Sequence, residues 1–143
     1  MLINRRASLA AAFVAVTTLA ATLASAETPS PAGAAVYFIN LKDGDTVTSP
    51  FKIQFGLTGM GIAPAGTQIP NTGHHHLLID AGDSIPAGQV VPKDSTHLHF
   101  GKAQSSATVT LSPGKHVLTL QFADGIHRSY GSQMAATINV TVK

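Results

Sequence analysis

The residues with the most chemistry in this chain are its seven histidines, set in a sequence with no cysteine and no tryptophan. His74, His75 and His76 form a run, His97 and His99 are two apart, and His116 and His127 follow separately. In an extended strand, residues two apart project to the same face. His74 and His76 therefore share one face of a strand, as do His97 and His99, and each pair can chelate one ion. Imidazole suits Cu(II), Zn(II) and Ni(II). Without thiols, Cys-ligated zinc, iron–sulfur clusters and thiol catalysis are excluded. The expected ligands to a copper or zinc ion are His74, His76, His97 and His99, with His127 as a possible addition from its loop. Histidine ligation predicts metal release as the pH falls through about 6.

The other polar groups have blander readings. If Leu77 and Ile79 face the core, His75 lies on the core side as a packed histidine. His116 follows Ser112-Pro113-Gly114-Lys115, where a backbone hydrogen bond ending the turn is expected. Asp80 shares the parity of His74 and His76, so it can orient an imidazole or cap the turn before Ala81-Gly82. Met60 and Met134 are potential soft ligands, but isolated methionines usually pack. There is no G-x-S-x-G elbow, no phosphate loop, no H-E-x-x-H and no glutamate after Glu27. A non-catalytic protein is therefore expected. A metal-independent module binding a protein, glycan or small ligand is the alternative, and a metalloenzyme the least supported reading.

The elements that must position these rings are short strands. Val36–Leu41, Phe51–Leu57, His74–Asp80, His97–Phe100, Thr108–Leu111, His116–Ala123 and Ala135–Val142 are rich in Val, Ile, Phe, Thr and Leu. Thr46–Thr48 is a possible edge piece. Turn residues such as Asp43-Gly44-Asp45 and Ser112-Pro113-Gly114 separate them. Two long Gly/Pro segments, Gly59–Gly73 and Ala81–Thr96, deliver the histidine pairs. No helical periodicity runs for a useful length. The pattern predicts an all-β fold, a single immunoglobulin-like antiparallel β-sandwich of about seven strands over residues 36–143.

Ahead of that domain, residues 1–26 have the pattern of an export signal: Arg5 and Arg6, an uncharged stretch from Leu9 to Leu23, then Ala24-Ser25-Ala26. A flexible leader is expected over residues 27–35. Cleavage after Ala26 would leave a periplasmic or secreted protein with no stable membrane insertion. The formal charge of +2 and the pI near 9.2 would leave with the two signal arginines. Lys42, Lys52, Lys93, Lys102, Lys115, Arg128 and Lys143 then face seven acidic groups. No basic cluster remains, so no nucleic-acid partner is expected.

Three segments carry a resemblance: Gly73-His74-His75-His76-Leu77-Leu78-Ile79-Asp80, Thr96-His97-Leu98-His99-Phe100-Gly101-Lys102-Ala103-Gln104, and Ser112-Pro113-Gly114-Lys115-His116-Val117-Leu118-Thr119-Leu120. With Val36-Tyr37-Phe38-Ile39 and Asp43-Gly44-Asp45, they resemble an exported bacterial family known only as domain of unknown function family 4399. The resemblance implies a compact exported domain and no particular activity. In that family the last loop carries a histidine, then proline and a further histidine. Here His127 is kept, while Ser129 and Tyr130 stand where the others would fall.

Overall fold

The computed structural model describes residues 29–143. The expected signal segment, and with it the cleavage site, lies outside the described residues. The domain is all-β, and among the described residues no helix is long and apolar enough to cross a membrane. Among the described residues nine strands follow in order: β1 Ala35–Phe38, β2 Asp45–Val47, β3 Phe51–Thr58, β4 Gly61–Ile62, β5 Thr72–Ile79, β6 His97–His99, β7 Ser106–Val109, β8 Gly114–Ala123 and β9 Ala135–Val142. A short 3-10 turn at Ser132–Met134 precedes β9.

The alternation in the sequence explains the core. Phe51, Ile53 and Phe55 point inward from β3 while Lys52 and Gln54 do not, and Ile138, Val140 and Val142 do the same from β9. β3 is the middle of a three-stranded sheet in the order β1-β3-β7. The larger sheet runs β2-β9-β8-β5-β4, with β6 also paired to β5. Leu77 and Ile79 of β5 and Leu118, Leu120 and Phe122 of β8 meet the side chains of β1, β3 and β7 in one apolar cluster. Each fully buried side chain of this kind contributes about 1.5–3 kcal/mol.

Three expectations need correction. The larger sheet is mixed, because β2 runs parallel to β9 and β4 parallel to β5. β4 falls inside a segment expected to be loop; its two residues pair with Thr72 and Gly73, so it is made by its neighbour and not by its own composition. At the other end, the last part of the expected leader joins the fold. Ala34 is buried, its N–H donates to the Pro31 carbonyl, and Gln133 Nε2 donates to Ser30 Oγ.

β5 and β8 are buried on both faces, which is uncommon in a half-solvated antiparallel sheet. The face away from the core carries Thr119, Gln121, His74 and His76. Segment 81–92 covers it, held by side chains of that face. Thr119 Oγ1 donates to Gly82 O (2.9 Å), and Gln121 Oε1 accepts from Ile85 N (2.8 Å). Gln121 Nε2 reaches the carbonyls of Gly131 and Met134, and Ser129 Oγ donates to Ile85 O. Gly88 N and Val91 N donate to the carbonyls of Ser129 and His127, which lays the cover beside the 124–131 loop.

Candidate metal centre

Four histidines converge on this covered face. His74, His76, His99 and His127 each offer one nitrogen, and the four atoms lie within 4.8 Å of one another. Their ring centroids are 4.8 to 6.0 Å apart. Three chain segments contribute. His74 and His76 stand two apart on β5, and His76 is registered against His99 of β6. His127 comes from the loop after β8.

Local chemistry fixes each ring. At Gly73 a Cβ would run into the Ala123 carbonyl oxygen on β8, so only glycine lets β5 keep this approach immediately before His74. A Cβ at Gly101 would strike the His99 imidazole, so its absence lets that ring fold back toward the cluster. His127 sits in a left-handed conformation (φ 68°) within a tight loop. Asp124 Oδ1 accepts from the amides of Ile126 and Arg128, and the His127 amide donates to the Asp124 carbonyl. The His127 carbonyl accepts from Val91 N, so the loop is held from both sides.

His74 and His76 are fully buried, whereas His99 and His127 are partly exposed and form the mouth. His74 Nε2 and His127 Nδ1 share a hydrogen bond of 3.0 Å. His74 Nδ1, His76 Nδ1 and His99 Nε2 are buried and have no hydrogen-bond partner among the described residues. Such groups normally find one, and each one left without costs about 1–3 kcal/mol. Burial, then mutual repulsion, disfavours the protonated rings: the His74 pKa falls to about 4 and that of His76 to about 2. Burial lowers His99 too, with the charges of His127 and Lys93 adding to it. At neutral pH the rings of His74, His76 and His99 are therefore held uncharged, with a lone pair for coordination. Over the mouth lies a cavity of about 80 Å³ bounded by His76, His99, His127, Val91, Pro92 and Lys93.

His97, expected among the ligands, stands outside the group. It shares the strand face of His99 but is registered against Leu78, two residues beyond His76. Two residues along a strand are about 6.6 Å, and parity fixes the face without fixing the distance. The His97 ring is instead held by Asp94, whose Oδ1 accepts from His97 Nδ1 at 2.8 Å and from the amides of Thr96 and His97. His75 takes the core side as expected, between Phe55 and Phe122. His116 Nε2 donates to Ser112 O (2.8 Å), the expected turn contact, and its Nδ1 donates to Asp80 Oδ2 (2.7 Å). Asp80 thus orients an imidazole, that of His116, and its Oδ1 accepts from Val117 N on β8. Met134 is fully buried in the core cluster and Met60 packs against it. Lys93 was missed by sequence reasoning; its only signal was its place in a Pro-containing segment leading to a histidine pair.

Residues 53–143 match the family model described as Domain of unknown function (DUF4399). Comparisons with curated proteins and with solved structures give no match.

Proposed function

The chain belongs to this family of domains of unknown function, DUF4399, and because the family description carries no activity, we propose from the side chains alone that it is a histidine-ligated transition-metal-binding domain. Its ligands are His74, His76, His99 and His127, its ion is copper or zinc, and its role is to buffer, deliver or sense that ion outside the cytoplasm after export. In this reading the two sheets with one shared core are an immunoglobulin-like sandwich whose edges have been rebuilt by parallel strands.

The observation that carries the proposal is a set of four imidazole nitrogens within 4.8 Å, three of whose rings keep a buried nitrogen without a partner. An ion held at about 2.0–2.1 Å from each nitrogen needs neighbouring nitrogens about 3.4 Å apart in a tetrahedron, and as much as about 4.2 Å apart only for a trans pair. Side-chain rotations of about an ångström would have to draw the widest pair in. A donor set of neutral imidazoles, with no carboxylate or thiolate among them, selects Cu(II) and Zn(II) over Mg²⁺ or Ca²⁺.

Metal analysis of untagged protein exposed to copper and zinc is the test. One equivalent retained after desalting is expected, with loss in a His76→Ala/His99→Ala double variant. Sub-stoichiometric metal, or the same affinity in that variant, overturns the proposal. The His74–His127 hydrogen bond favours a second reading, a metal-independent module in which the rings brace the 124–131 loop. Thermal stability unaffected by either ion supports that alternative.

A further inference from the structure

The mouth of the histidine cluster has an unexpected neighbour for a cation site. The exposed Lys93 stands on its rim and lines the same cavity as His76, His99 and His127. Four neutral imidazoles leave the charge of a bound divalent ion uncompensated, since none of the four ligands is anionic. Two positive centres, an ion and an ammonium, then face one cavity, and this is unfavourable unless something negative lies between them. The cavity is suited to that role. Its volume is about 80 Å³, where about 10–15 Å³ is enough to hold one water, so a guest of a few heavy atoms fits. Val91 is buried and Pro92 has no N–H, so this wall offers a small guest little beyond apolar contact. His99 and His127 are partly exposed at this mouth.

We infer that the metal-loaded site takes a small monoanion of one to three heavy atoms, bound jointly by the ion and the Lys93 ammonium. This rests on the metal-binding reading above. The chemical class is a halide, hydroxide, azide or a diatomic oxygen anion, small enough for the space beside Val91, Pro92 and Lys93. The ion therefore keeps one exchangeable position, and Lys93 is a positioning residue for what occupies it.

The test uses full-length mature protein carrying one equivalent of Cu(II), with azide as the probe. Copper content is measured first in the wild type, Lys93→Gln, Lys93→Arg and a remote control, Lys115→Gln; all four should hold one equivalent. Azide titration should give a saturable azide-to-copper charge-transfer band in the wild type. Its affinity should fall about five- to tenfold in Lys93→Gln, survive in Lys93→Arg and stay unchanged in Lys115→Gln. A copper spectrum insensitive to azide overturns the inference while the metal reading stands. Equal azide affinity in the wild type and Lys93→Gln also overturns it. Failure of the wild type to hold copper removes the metal reading and the inference together.

Discussion

Asp94 decides what His97 does. Its Oδ1 gathers two backbone amides, the Thr96 hydroxyl and the His97 ring, and that local knot holds the imidazole 3 residues from the carboxylate in sequence. His97→Ala should therefore leave metal stoichiometry and affinity intact, whereas His99→Ala should weaken binding by about tenfold or more. A competition titration with a chromophoric chelator separates the two, and equal losses would contradict the assignment. At the His116–Asp80 pair both ring nitrogens face acceptors, so the hydrogen bonds require the imidazolium. The Asp80 hydrogen bond, then that to Ser112, raises the His116 pKa above its usual 6.5. The resulting stabilisation is complete below the unfolded-state pKa and is lost as the pH rises through the raised folded one. Because the Asp80 side chain is 47% exposed, its size is held to about 1 kcal/mol or less. Asn tolerates the left-handed backbone of Asp80 (φ 54°). Asp80→Asn should thus lower Tm near pH 6 and change it little near pH 9, as read by differential scanning fluorimetry.

At the scale of elements, β5 is a strand with two occupations: Leu77 and Ile79 fill the core while His74 and His76 face the cover. Two glycines without side chains make that arrangement possible. A Cβ at Gly73 meets backbone oxygen, which cannot turn away, so Gly73→Ala should destabilise the fold by about 1–3 kcal/mol. A Cβ at Gly101 meets the His99 ring, a side chain that can swing aside. Gly101→Ala should therefore leave Tm within a few degrees while reducing metal affinity about tenfold. Calorimetry and a metal titration on the two variants check this contrast; a Gly101→Ala protein with wild-type metal affinity would show that the His99 ring position is immaterial. The long strands were legible in the sequence because Phe51, Ile53, Phe55 and Ile138, Val140, Val142 alternate. β4 and the parallel partners of β2 and β5 were not, since a two- or three-residue strand carries too little pattern and pairing direction depends on which edge is free.

For the molecule as a whole, burying three consecutive imidazoles makes the metal-free protein acid-sensitive. His74 and His75 are lowered to about 4 and His76 to about 2, first by burial and then by neighbouring rings. Between about pH 6.5 and 4 the unfolded chain takes up protons that the native state refuses, so stability present above 6.5 falls through this window. Urea unfolding of the metal-free protein at stepped pH should show a falling midpoint there, and His75→Phe should flatten part of the slope. A midpoint constant across the window would contradict the burial of these rings. Metal held only by the native state should raise Tm in proportion to the logarithm of free ion above its Kd.

The sequence by itself determined the strand faces: alternation placed His74 with His76 on one face and His75 with Leu77 on the other, because side-chain direction in a strand has a fixed period of two. By lacking cysteine it also excluded thiolate ligation of any metal. Only the tertiary structure decided which histidines meet. His99 enters and His97 does not because the β5–β6 register sets distance along the strand, and His127 enters because a hydrogen-bonded loop from the far end of β8 folds back over the same face. Lys93 joins them for the same reason: segment 81–92 is sewn to Thr119, Gln121 and Ser129, contacts between residues remote in the chain that no local pattern encodes.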